Sequence, residues 1–142
     1  MSQGHQLAMA LRGAYWALHR RTDAILLPLG VTANQFVLLS LLDDDEGVTQ
    51  RELCQRASSD PNTVRAMLVN LEAKSLVTRE PHPTDRRAWR VSLTREGKRL
   101  FKQLWSETET LRNELTAGLT PREADSLLVL LGRLSQSTQS PL

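Results

Sequence analysis

Cysteine is almost absent from this chain: Cys54 is the single one among 142 residues. One thiol closes no intrachain disulfide, which predicts a reducing, cytoplasmic setting. Long apolar runs are missing too. Phe36–Leu42 and Leu127–Leu131 fall far short of the ~20 residues of a membrane span. Arg12, Arg20 and Arg21 interrupt the apolar stretch near the start, against a signal peptide. His5, His19 and His82 show no metal-ligand spacing. The acidic run Asp43–Glu46 has no convergent histidine and reads as a solvated loop, so no metal site is expected. No Ser-His-Asp, Cys-His or metal-ligand set with usable spacing appears, so an enzyme is discarded and no cofactor is expected.

What is present is a globular composition. Hydrophobic residues make up 40% and charged ones 24% of a length that suits one domain with a real core. The formal net charge is only +2, but it is unevenly placed. Between Lys74 and Lys102 nine basic residues stand against three acidic ones, a local +6 that leaves −4 for the remainder. A basic segment on an acidic body points to a polyanionic partner, with a solvated, salt-bridged surface as the plainer alternative.

The chain reads as five or six helices and one hairpin. Leu7, Leu11, Ala14, Leu18 and Ile25 give a helical period from about Gln6 to Leu27, ended by Pro28 and Gly30. Thr32 is placed to cap a second helix through Phe36, Leu39 and Leu42. The run Asp43–Glu46 ends it, because acidic side chains are unfavourable at a helix C-terminus. Thr49 and Glu52 have capping-box spacing for a short helix. Asp60-Pro61 supplies the N-cap and first residue of the next, with Val64, Met67, Leu68 and Leu71 on its apolar face. Only Ser58 and Ser59 separate these two, as in a helix-turn-helix. The period then becomes strand-like: Leu76–Arg79 and the alternating Ala88–Leu93 make a hairpin with a long tip, Pro81–Arg87. Thr94 caps a long helix that Gly118 ends, with Gly97 tolerated in its first turn. Thr120-Pro121-Arg122-Glu123 starts a last helix, whose tail frays from Ser135.

These residues carry a family resemblance. The helix-turn-helix, then Leu71-Glu72-Ala73-Lys74-Ser75-Leu76-Val77, then Asp85-Arg86-Arg87-Ala88, then Val91-Ser92-Leu93-Thr94-Arg95-Glu96-Gly97 resembles the MarR family of winged helix-turn-helix transcription regulators. Gly30-Val31-Thr32, Gln35-Phe36 and Leu119-Thr120 extend the resemblance to roughly residues 6–136. It implies a mainly α fold with a small two-stranded antiparallel wing, forming one domain over 1–142. Segments 1–30 and 119–138 would pair two chains into a homodimer. Residues 32–99 would form the DNA-binding lobe and 94–118 a long connecting helix. The resemblance further implies a pseudo-palindromic double-stranded DNA operator, repression by blocking polymerase, and a small-molecule effector bound between the dimer helices and the lobe. Pro61-Asn62 and Ala66 depart from the basic residues common there, so no base preference is carried over.

Within that frame Asn62, Thr63 and Arg65 occupy the first turns of the recognition helix, where a docked helix points side chains at base edges. Asparagine suits adenine, arginine suits guanine, and threonine serves base or phosphate. Free amides at the helix start, and Gln50 and Arg51 on the preceding helix, suit phosphates. In the wing, Asp85 and Arg87 share a face of an extended backbone. The carboxylate is therefore expected to brace the guanidinium for entry into a narrow minor groove, with Arg86 on the other face near phosphates. A local surface ion pair is the plainer alternative. Tyr15, Trp16, His19 and Trp105 suit a mostly apolar ligand cleft with a few polar groups, and equally a core or a dimer interface. Phe36 reads as core. Cys54, beside Leu53, reads as packing rather than as a redox sensor. The competing class is a winged-helix protein-interaction module that has lost DNA binding, against which Arg86 and Arg87 count.

Overall fold

A computed structural model describes residues 1–44 and 47–139. Among them, seven helices and three strands follow in the order α1 Gln3–Leu26, α2 Ala33–Asp44, β1 Val48–Thr49, α3 Gln50–Ala57, α4 Pro61–Ala73, β2 Val77–Pro81, β3 Trp89–Leu93, α5 Arg95–Glu107, α6 Glu109–Ala117 and α7 Pro121–Thr138. A single 3-10 turn, Leu27–Leu29, follows α1.

Short polar side chains set the helix starts, because each satisfies amides that have no partner inside the helix. Thr32 Oγ1 accepts the Gln35 amide while Gln35 Oε1 accepts the Thr32 amide, both at 3.1 Å. This is a reciprocal capping box. Thr49, Asp60 and Thr94 cap α3, α4 and α5. Thr120 and Glu123 cap α7 reciprocally at 3.1 and 2.9 Å.

The sheet is antiparallel with strand order β1-β3-β2. Val48 pairs with Val91, and Val91 with Arg79, so β3 is central. Val48, Val77 and Val91 are buried in a core that they share with Leu38, Leu39 and Leu42 of α2, Leu53 of α3, and Leu68 and Leu71 of α4. Phe101 and Leu104 of α5 complete it, and Phe36 is half-buried, stacked on Phe101 with ring centroids 5.8 Å apart. The start of α5 lies tightly against the end of α4. Thr94 donates its amide to Leu76 O and its hydroxyl to Ser75 O. A Cβ on Gly97 would overlap the Leu76 carbonyl oxygen, so glycine is required there and not merely tolerated.

Five expectations change. The sheet has three strands, not two, because Val48–Thr49 pairs with β3. Asp43 and Asp44 belong to α2 and not to a loop; Asp45 and Glu46 lie outside the described residues. The unfavourable dipole term of about 0.3–1 kcal/mol per charge is smaller than the roughly 1.5–3 kcal/mol from burying a leucine such as Leu42. The long helix from Thr94 to Gly118 is two helices. Thr108 breaks it, with φ −97° and its hydroxyl donating back to Leu104 O at 2.8 Å. That back-bond competes with the helix ladder. Finally, α7 runs to Thr138 without fraying at Ser135, and Pro81 pairs with Trp89 as strand rather than tip.

The chain divides into two compact units, Met1–Thr108 and a second one beginning at Glu109. In the first, α1 leaves Leu7, Leu11, Tyr15, Trp16 and Leu18 exposed. In the second, α7 has no buried residue and exposes Leu127, Leu128, Val129 and Leu130. Among the described residues, no single helix is long and apolar enough to cross a membrane.

Candidate nucleic-acid interface

The helix-turn-helix is closed by an unusual backbone. Ser58 sits in the left-handed region at φ 51°, which lets the chain reverse between α3 and α4 within three residues. The Ser59 amide donates to Cys54 O, completing the turn. On α4, Val64, Leu68 and Leu71 face the core, so Asn62, Thr63 and Arg65 face outward and are exposed.

The N-terminus of α4 is not open to a phosphate. Asp60 Oδ2 accepts the Asn62 and Thr63 amides at 3.1 and 3.3 Å, and Pro61 has no amide to offer. The expectation of free amides at this helix start is therefore corrected: an aspartate already fills the position, and its charge opposes a second anion.

The wing tip is a set of turns rather than an extended ribbon. The Asp85 carboxylate accepts the Arg87 backbone amide at 3.0 Å, and the Ala88 amide donates to Asp85 O. Asp85 thus holds the backbone turn that carries Arg87, in place of the expected brace on the guanidinium, because the chain turns at 86–87. His82 adds to this order. Its Nδ1 accepts the Thr84 and Asp85 amides at 3.2 and 3.1 Å. Sequence reasoning misses that role, since a lone histidine has no spacing to read. Arg86 and Arg87 are both exposed.

Between α3, the start of α4 and the sheet lies an open cavity of about 1160 Å³. Arg51, Arg65, Arg79 and Arg87 all line it, together with Gln50 and Trp89. Four guanidinium side chains, from α3, α4, β2 and the wing tip, therefore meet one concavity, although only Arg51, Arg65 and Arg87 were expected as contacts. Arg79 was hidden by its ordinary place in a strand; it bonds Glu72 Oε1 at 3.3 Å and lies 5.7 Å from the Trp89 ring centroid. Its Nε and Gln50 Oε1 are enclosed with no hydrogen-bond partner. The rest of the basic segment is dispersed. Lys74 donates to Gly30 O at 3.0 Å, and Arg95, Lys98, Arg99 and Lys102 lie on α5.

Cys54 is half-buried against the core and also lines the cavity. Burial, and then the Asp60 carboxylate, push its thiol above the ordinary range. This disfavours the reactive thiolate.

The aromatic candidates fall into two groups. Tyr15, Trp16 and His19 cluster on α1, with ring centroids 5.3 to 5.6 Å apart, and His19 pairs with Asp23 at 3.3 Å. Asp23 in turn accepts the Ala33 amide at the start of α2 at 2.7 Å. Trp105 packs on Phe101 and lines a separate cavity of about 300 Å³ with Ser40, Asp43, Asp44 and Lys102.

Comparison with known proteins gives this geometry a family. Residues 29–88 match the model of the MarR family. The multiple antibiotic resistance protein MarR of Salmonella typhimurium is 34% identical over 116 residues, which is 81% of this chain and 81% of that protein. YdgJ, an HTH-type transcriptional regulator of Bacillus subtilis, is 29% identical over 74% of this chain, which spans 64% of that relative's length. Among solved structures, a cysteine-to-serine variant of MarR from E. coli in complex with operator DNA superposes with a TM-score of 0.82 at 31% identity, covering 91% of this chain and 93% of that one. BpsR of Bordetella bronchiseptica, whose DNA binding is regulated by 6-hydroxynicotinic acid, gives 0.83 at 27% identity, covering 95% and 96%. With a reversed helix pair, a wing hairpin on a three-stranded sheet and these relatives, the chain belongs to the MarR family of DNA-binding winged helix-turn-helix transcriptional regulators.

Proposed function

We propose that the chain works as a homodimeric repressor on a pseudo-palindromic duplex operator, released by a small-molecule effector, in the cytoplasm and without enzymatic activity. The observation that carries the DNA-binding surface is the convergence of Arg51, Arg65, Arg79 and Arg87 on one concavity between recognition helix and wing. With four guanidinium groups against one carboxylate, Asp85, the concavity carries an excess of positive charge that attracts a polyanion backbone. Asn62, Thr63 and Arg65 read bases, Arg86 and Arg87 serve the minor groove and its phosphates, and Arg51 and Gln50 meet backbone oxygens.

Dimerisation through segments 1–30 and 119–138 is supported by the exposed apolar faces of α1 and α7. Monomeric domains rarely leave such contiguous faces to water. Repression is the activity named for relatives in Mycobacterium tuberculosis, and regulation by an organic acid is that of BpsR. In this chain the Tyr15–Trp16–His19 cluster and the Trp105 cavity are the two candidate effector positions. A genomic-fragment binding selection followed by sequencing tests the reading. It should enrich an inverted repeat upstream of genes. Recovery of unrelated fragments, or of none, would overturn it.

A further inference from the structure

The outward face of the recognition helix is not uniformly polar. Asn62, Arg65, Ala66 and Val69 follow the spacing i, i+3, i+4, i+7, and all four are exposed. That spacing makes one continuous stripe along the helix, opposite Val64, Leu68 and Leu71. A helix docked along the major groove presents side chains to base edges at the same intervals. At about 1.5 Å per residue the stripe is roughly 10 Å long, close to three base steps.

Polar chemistry is easy to assign to its N-terminal half, Asn62 and Arg65, but its C-terminal half, Ala66 and Val69, is apolar. Val69 keeps half of its surface in water, 50%, on a helix whose other large aliphatic residues are buried or half-buried. Neighbouring Asn70 does not take over as reader at that level of the helix, because its Oδ1 accepts Gln35 Nε2 at 2.9 Å. Capping by Asp60 also disfavours docking the helix end-on against a phosphate. With the helix lying along the groove and this stripe inward, Ala66 and Val69 come against base edges. Among the groups an unmodified major groove offers, only the thymine C5-methyl is apolar.

We propose that Val69, with Ala66 beside it, reads a thymine methyl group, making Val69 a specificity-determining residue of each operator half-site. The proposal rests on the DNA-binding reading above and assigns chemistry to a position that the polar residues leave open. The contact is local. Asn62 and Arg65 would hold their hydrogen bonds on one side of it, while the two aliphatic side chains exclude water from the methyl on the other.

The test uses the intact protein and the duplex recovered by binding selection. Each thymine is replaced in turn by deoxyuridine, which deletes only the methyl. The unmodified protein should lose about fourfold in affinity at one thymine per half-site, the ratio expected when one methyl-sized group is no longer buried. Val69→Ala, at an exposed helix position, should fold normally and bind the thymine and uracil duplexes nearly alike. Repeating the selection with Val69→Asn should exchange that thymine for adenine, the base whose edge asparagine pairs with. If no thymine is sensitive, or if Val69→Ala shows the same sensitivity as the unmodified protein, the assignment is wrong while DNA binding stands. If no site is selected at all, the DNA-binding reading itself fails, and this one with it.

Discussion

Changing Asp85 to alanine and to asparagine separates two ways in which this residue can serve the wing. In the structure its Oδ1 accepts the Arg87 backbone amide at 3.0 Å, and its carbonyl accepts the Ala88 amide. Asparagine keeps an Oδ1 acceptor and loses only the charge; alanine loses the acceptor. An exposed hydrogen bond of this kind is worth about 0.5–1 kcal/mol net, so Asp85→Ala should weaken operator binding about two- to fivefold per tip, compounded over the two tips of a dimer. Asp85→Asn should bind at least as tightly as the unmodified protein, since it also removes a negative charge facing a polyanion. Arg87→Ala should cost more. A hydrogen bond to a charged group contributes about 1.5–3 kcal/mol, on the order of ten- to a hundredfold. Neither position belongs to the core, so melting temperatures should not move. Arg122→Ala, at the start of α7, is the control and should leave affinity unchanged. Fluorescence anisotropy on one duplex measures all four variants. If Asp85→Asn binds as weakly as Asp85→Ala, the carboxylate charge braces the guanidinium after all and the turn-based account is refuted.

Three other outcomes follow from the packing. Gly97→Ala should destabilise the fold by about 1–3 kcal/mol in urea unfolding, because the new Cβ meets the Leu76 backbone carbonyl and not a flexible side chain; unchanged stability would mean that α5 can shift freely. Gln35→Leu should cost about 1–3 kcal/mol, because it strips the Thr32 amide and Asn70 of a buried partner; a stabilised variant would contradict that. Cys54, with its thiol pushed up by burial, should be alkylated more slowly than a small free thiol at neutral pH, catching up only as pH rises beyond the ordinary thiol range. Faster alkylation would reopen a sensing role.

The helix starts were the most legible part of this fold. Thr32, Thr49, Asp60, Thr94 and Thr120 each announce a cap by residue type and spacing, and each makes one. Capping is a local interaction within three residues, so sequence reveals it. What sequence hid depends on distant partners. β1 is only Val48–Thr49, too short for alternation to show, and it exists because β3 offers it an edge. The break at Thr108 comes from a hydroxyl choosing Leu104 O, a choice that periodicity does not register. At the candidate site, Arg51, Arg65 and Arg87 were legible as exposed basic residues near helix starts and a turn. Arg79 was not, because β2 brings it to the cavity through pairing with β3. The Asp85 contact was misread for a similar reason: two residues apart means a shared face only when the backbone is extended, and here it turns.

If the arginine-lined concavity holds a DNA backbone, operator binding must depend on salt through those arginines. Dissociation constants on the selected operator would be measured over a range of salt for the unmodified protein and for Arg51→Ala, Arg65→Ala and Arg87→Ala. Each phosphate contact contributes about −0.9 to the slope of log affinity against log salt. The slope should be steep for the unmodified protein and shallower by about two contacts per dimer for each arginine removed that meets phosphate. A slope near zero, or a steep one that none of the three substitutions changes, would contradict it.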